Sequence, residues 1–158
     1  MQPLKRLAIV GLSLTVIGLV LTVGFWPLTS VSGAALRAAR NGNQYTGYSQ
    51  GARIMVHERI LSVNFASVFG SQLTELELED SDPSVTTSIY VRGDARAVVA
   101  PGDVIFASAV LQSVPFDGYY WEVARPGDVH LSRLVDGLFY GAMGAGVLIL
   151  AFAAFRKP

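Results

Sequence analysis

Two stretches of the chain, positions 7–25 and 134–155, carry almost nothing but apolar residues, and between them the pattern breaks into short alternating runs. Each stretch is about twenty residues long and bordered by charge, the length a helix needs to cross the hydrocarbon of a bilayer. The second, LVDGLFYGAMGAGVLILAFAAF, holds one ionisable residue, Asp136, near its start. The pattern predicts a chain held at the membrane by both ends. About 100 residues lie between the spans, enough for one small domain.

From position 51 the period changes to two. Strands are expected at 52–65, 73–80, 85–91, 104–112 and 119–124. The first is long, and its apolar positions Ile54, Val56 and Ile60 fall out of alternation around 57–59, which reads as a bulge or bend. In the second, Thr74, Leu76 and Leu78 share one face while Glu75, Glu77 and Glu79 share the other, so one face is core and the other wet. Turns are expected at 67–71 around Gly70, and at 81–84, 101–103 and 115–118. Positions 33–40, GAALRAAR, can make two helical turns, and 41–50, NGNQYTGYSQ, reads as a linker. The division expected is a tail at 1–6, a span at 7–26, a juxtamembrane helix and linker at 27–50, a β domain at 51–130, a span at 131–155 and a tail at 156–158.

Five strands, the first long and bent, fit a small Greek-key barrel. The run Leu76, Leu78, Glu79, Asp80, then Ile89, Tyr90, Val91, then Ala100, Pro101, Gly102, Asp103, Val104, Ile105 resembles strands two, three and four of OB-fold domains. The resemblance extends over about 75 residues, the scale of a five-stranded barrel. The fold class expected is therefore two transmembrane α-helices flanking a small all-β extracytoplasmic domain, an OB-fold-like five-stranded barrel, with a small β-sandwich as the rival architecture. The anchored arrangement also resembles two-span prokaryotic membrane proteins of unknown function, a resemblance that implies no activity.

Charge sets orientation and narrows the partners. Lys5 and Arg6 precede the first span and Arg156 and Lys157 follow the second, so both termini are expected in the cytoplasm and the central domain on the outer face of the cell membrane. A cleaved signal peptide is the competing reading of the first span. Its apolar run, however, exceeds the usual length of about seven to fifteen residues. Positions 27–133 hold eight arginines and eleven acids. That mildly acidic balance argues against nucleic acid, whose binding needs clustered Lys and Arg. The partners expected are the lipid bilayer and other membrane protein subunits, or a second copy.

Small residues mark where helices can approach. Gly137, Gly141 and Ala145 recur at intervals of four in the second span with Gly144 beside them, and Gly11, Thr15 and Gly18 do similar service in the first. The partner of this ridge is either the other span or a helix of another protein. Trp26 and Pro27 mark the interface, and Arg133 and Asp136 fall on one helical face, where Asp136 also favours the helix dipole.

Catalytic and metal chemistry find little support. The chain has no cysteine, which excludes disulfides, thiolate catalysis and zinc–sulfur sites. His57 and His130 are the only histidines and read as packed or solvated. A membrane-anchored OB barrel also resembles the haem chaperone of cytochrome c maturation, in which a histidine after the barrel, with a tyrosine four residues on, holds haem. Here His130 follows the barrel but Leu134 stands four residues on. Glu75, Glu77, Glu79, Asp80 and Asp82 lie in a row, whereas calcium needs oxygens that converge. Tyr119, Tyr120 and Trp121, with Tyr90 and Phe106, are a candidate interaction surface, although strand alternation sends Tyr120 opposite to its two neighbours. No catalytic residue, cofactor or metal is assigned, and no enzyme is expected. The function expected is a non-enzymatic accessory, assembly or structural subunit of a membrane complex. The alternative is a membrane-anchored carrier of a small molecule, glycan or haem.

Overall fold

The computed structural model describes residues 3–68, 70–79, 86–114 and 118–155. In chain order the elements are α1 (Pro3–Thr29), α2 (Gly33–Ala39), β1 (Arg40–Asn41), β2 (Gln44–Tyr45), β3 (Arg53–Val68), β4 (Ser71–Leu78), β5 (Thr87–Arg92), β6 (Val104–Val114), β7 (Gly118–Val123), β8 (Val129–Leu131) and α3 (Arg133–Phe155). They divide into two compact units, Met1–Thr29 with Arg133–Pro158, and Ser30–Ser132.

The first unit is the pair α1 and α3, both long and apolar enough to cross a membrane. Large side chains such as Val20, Val23, Leu138 and Leu148 are exposed on these helices. A helix apolar all round calls for an apolar surrounding, a protein core or a membrane. The two run antiparallel: Gly11 meets Gly146 at one end and Trp26 meets Asp136 at the other. Thr15, Thr22 and Thr29 each donate their hydroxyl to the carbonyl four residues back, at 2.7–2.9 Å, so the hydroxyls of this row are satisfied by their own helix.

The second unit is mostly β. Its six-stranded sheet runs β3-β4-β5-β7-β6-β8, with β3 also pairing β6. Strand β3 changes partner along its length: Arg53 to Arg59 face β6, and from Ile60 onward the partner is β4, with a register shift between Ile60 and Ser62. That shift lies one step beyond the break in alternation at 57–59, because the irregularity sits where the partner changes. β5 and β7 pair in parallel through Tyr90 and Val91, and the other pairings of the sheet are antiparallel.

Alternation along the strands makes the core. Ile54 and Val56 of β3, Leu76 and Leu78 of β4, Ile89 and Val91 of β5, and Ile105, Ala107, Ala109 and Leu111 of β6 are all buried around a fully buried Trp121. Tyr45 and Tyr48 meet the Trp121 ring edge-on at 5.5 and 5.2 Å, the arrangement the ring quadrupoles favour. Thr74 is the polar member of the β4 inner face. Its hydroxyl donates to the Gly93 carbonyl at 2.6 Å and accepts from the Ala95 amide at 2.9 Å, tying the turn after β5 to the core.

The segment read as juxtamembrane helix and linker is built into this unit. Ser32 caps α2 by accepting from the Ala35 amide, and Leu36 is fully buried. Val31 bridges Val56 in parallel. Positions 40–45 form a two-stranded hairpin rather than a plain linker, and Tyr45 enters the core. β8 is a further strand beyond the five expected, held because Ile105, Phe106 and Ala107 supply its partners on β6. The turns at 81–84 and 115–117, Asp80 and Asp82, and Arg156 and Lys157 lie outside the described residues.

Candidate functional site

The seam between α1 and α3 is made of small residues. A Cβ added to Gly18 would stand 2.6 Å from the Met143 amide nitrogen and 2.9 Å from its Cα. One added to Gly11 would meet the Gly146 carbonyl and the Ile149 side chain at 3.0 Å. Gly146, the buried glycine of α3, has the Thr15 amide nitrogen at 2.5 Å and the Gly11 carbonyl at 2.7 Å from such an atom, and the Thr15 hydroxyl is also against it. Backbone therefore lies on backbone, the close approach that stabilises helix pairs where water gives no hydrophobic drive. Gly11 and Gly18 are legible from spacing. Gly146 is not, because it falls outside the four-residue repeat.

That repeat points elsewhere. A Cβ at Gly137, Gly141 or Gly144 would meet nothing within 4 Å, and all three are exposed, as is Ala145. At about 100° per residue, nine residues bring Gly146 to the side of α3 opposite Gly137. Thus α3 carries two small-residue faces: one against α1, and a second, Gly137, Gly141 and Gly144, that α1 does not cover.

Near the other end of the seam, Asp136 accepts from Trp26 Nε1 at 2.7 Å. Phe25 lies beside it, edge-on to Trp26 at 4.8 Å and to Phe139 at 5.3 Å. Sequence spacing suggests Arg133 as the neighbour of Asp136; the partner the fold supplies comes from the other helix.

The sheet unit holds a groove of about 350 Å³ lined by Tyr45, Tyr90, Tyr119 and Tyr120 with Arg40, Asn43, Glu75, Thr86 and Ser88. The register aligns Glu75, Tyr90 and Glu122 in one row across β4, β5 and β7. Tyr90 donates to Glu75 Oε1 at 3.3 Å, and Tyr120 donates to Glu122 Oε2 at 2.7 Å. Glu122 is buried and paired with Arg92 at 2.8 Å. Burial, reinforced by Glu75, pushes the Tyr90 phenol up to about 12. Burial and the Glu122 hydrogen bond do the same to Tyr120. At one end the β1–β2 turn closes on β7: the Tyr119 amide donates to the Asn43 carbonyl at 3.0 Å. Gly118 is required there, with φ of 96° and the Asn43 carbonyl 2.6 Å from where a Cβ would be.

Of the three residues expected on an interaction surface, Tyr119 and Tyr120 border this groove and Trp121 does not. Its side chain points inward on β7 and is 0% exposed. Tyr119 also rests on the core, while Tyr120 lies on the outer face. Phe106 lines a separate cavity of about 400 Å³ with Arg53, Met55 and His130. The register sets His57 and His130 on either side of Phe106 in one row, and the His130 ring packs on Phe106 at 5.1 Å. The acidic stripe of β4 is divided among different neighbours: Glu75 with Tyr90, Glu77 with Ser62 and Glu79 with Arg59. Among the described residues, no three imidazole or carboxylate groups gather where a metal could sit. No known protein-family model matches the chain, and no curated protein is detectably similar to it.

Proposed function

We propose that this chain is a two-span membrane protein with both termini in the cytoplasm and its β unit outside, and that it serves as a non-enzymatic accessory or assembly subunit of a larger membrane complex. The observation that carries this reading is the second small-residue face of α3. Gly137, Gly141 and Gly144 stand on the side turned away from α1 with open space around them. Such a face gives a lipid-exposed helix little to pack with, yet lets another helix approach closely.

The same reading takes the β unit as an OB-like barrel that contacts partners outside the membrane. Four pairings support it: a long first strand shared between β4 and β6, β5 parallel to β7, and β7 antiparallel to β6. It would then belong with two-span prokaryotic proteins that carry one β domain between their spans.

The test is gentle extraction from the native membrane followed by native mass analysis. A defined set of co-migrating membrane proteins supports the accessory role, and a bare monomer or a homo-oligomer overturns it.

A further inference from the structure

We propose that the other cavity of the sheet unit, the one of about 400 Å³ over β6, binds a short apolar peptide with free termini. Side chains two apart on a strand share a face, so Ser108 and Val110 form a floor on the outside of β6. Arg53 and Met55 rise on one side, since β3 pairs Arg53 with Val110 and Met55 with Ser108. β8 lies along the opposite edge of β6, where Val129 pairs with Ala107, and Asp128 immediately before it closes the other wall.

Arg53 and Asp128 thus stand on opposite walls with the floor between them. Among the described residues, none forms a hydrogen bond or ion pair with the Arg53 guanidinium, the Ser108 hydroxyl or the Asp128 carboxylate, whereas Arg59, Arg92 and Arg96 each hold a carboxylate. One cation facing one anion is the complement of a zwitterion. The Arg53 fork matches a terminal carboxylate, and Asp128 accepts from a terminal ammonium. Between them the Ser108 hydroxyl both donates and accepts, as a peptide group requires, while Met55, Val110 and Ala124 offer apolar surface to a side chain. Phe106 is already stacked on His130 and closes one end of the cavity.

Length selects among zwitterions. Two strand spacings put the backbones of the walls roughly 10 Å apart. A dipeptide or tripeptide carries its two charges roughly 6–10 Å apart when extended, and so reaches from wall to wall. A single amino acid, with both charged groups on one carbon, reaches one wall at a time. Charge excludes other ligands: a phosphate chain meets Asp128, and a polycation meets Arg53. The volume falls within the range of small-ligand sites.

The experiment uses the full chain in phosphatidylglycerol nanodiscs, whose lipid headgroup is not a zwitterion. Saturation-transfer NMR titrations are recorded with leucyl-leucine and trileucine, with their N-acetyl and C-terminal amide forms, and with free leucine and phosphoethanolamine. At least one free peptide is expected to bind, and capping either terminus should weaken it by about tenfold, the loss of one charge-assisted contact. Arg53→Gln should weaken the free peptide by about as much while leaving the amide form unchanged. Asp128→Asn should do the same to the free peptide while leaving the N-acetyl form unchanged. An unaltered thermal transition shows that both variants are folded. The proposal is overturned if neither free peptide binds, if capping has no effect, if either substitution weakens capped and free forms alike or neither of them, or if free leucine or phosphoethanolamine binds as tightly as the peptides.

Discussion

Trp26 and Asp136, 110 positions apart in sequence, are joined by a 2.7 Å hydrogen bond from the indole nitrogen to a carboxylate oxygen. A carboxylate in a span is costly unless it is partnered, and here the partner is the donor-only indole. The bond also fixes the helices in register, since Phe25 and Phe139 pack beside it.

Trp26→Phe leaves the carboxylate without this donor and should destabilise the helix pair by about 1–3 kcal/mol. Asp136→Asn keeps an acceptor and should cost less. Unfolding in mixed micelles titrated with a denaturing detergent, followed by circular dichroism, measures both; equal losses for the two variants would show that the bond itself matters little.

The two glycine faces of α3 should respond differently. Gly146→Leu forces bulk against Thr15 and Gly11 and should cost ~1–3 kcal/mol as overpacking does. Gly144→Leu projects into open space and should leave the isolated helix pair unchanged. The same detergent titration separates them, and a Gly144→Leu loss as large as that of Gly146→Leu would contradict the seam described above.

Thr74→Val removes a hydroxyl that serves both the Gly93 carbonyl and the Ala95 amide. With both groups left buried, the sheet unit should lose ~1–3 kcal/mol, or about 4–8 °C of Tm per kcal/mol for a unit of this size. Thr74→Ser retains the hydroxyl and should recover most of the loss. Calorimetry on the nanodisc-embedded chain reads both.

Tyr90 and Tyr120 give the fold a limit at high pH. Their phenols titrate at about 12 in the folded chain and near 10 when exposed. Between these values the unfolded chain loses protons that the folded chain keeps, so stability is fully present below pH 10 and declines as pH rises toward 12. Ultraviolet titration should show a late phenolate fraction, smaller in Tyr90→Phe and in Tyr120→Phe. A single transition near 10 in the native protein would contradict this.

The parts of the fold that announce themselves in sequence are those written in one local period. The apolar runs give α1 and α3, and the alternation of Leu76 and Leu78 with Glu75 and Glu77 gives the inner and outer faces of β4. Gly146 stays hidden because a repeat of small residues shows which faces are narrow, and not which one meets the neighbour. The Trp26–Asp136 bond depends on helix register, which neither span encodes alone. The tyrosine groove draws on segments around 40–45, 75, 86–90 and 119–120. Only the sheet order brings these together, with β5 beside β7 rather than beside β6. The hairpin at 40–45 has two residues per strand, too few for alternation to register.

The central claim is that the Gly137, Gly141 and Gly144 face belongs to another membrane protein. Because the chain has no cysteine, a single Gly141→Cys variant can carry a benzophenone probe in native membranes, with Val147→Cys, an exposed position off that face, as the comparison. Illumination should join the probe at position 141 to one defined partner of different sequence, while the probe at position 147 yields chiefly lipid adducts. Lipid adducts alone at position 141, or adducts only with a second copy of this chain, would contradict the claim.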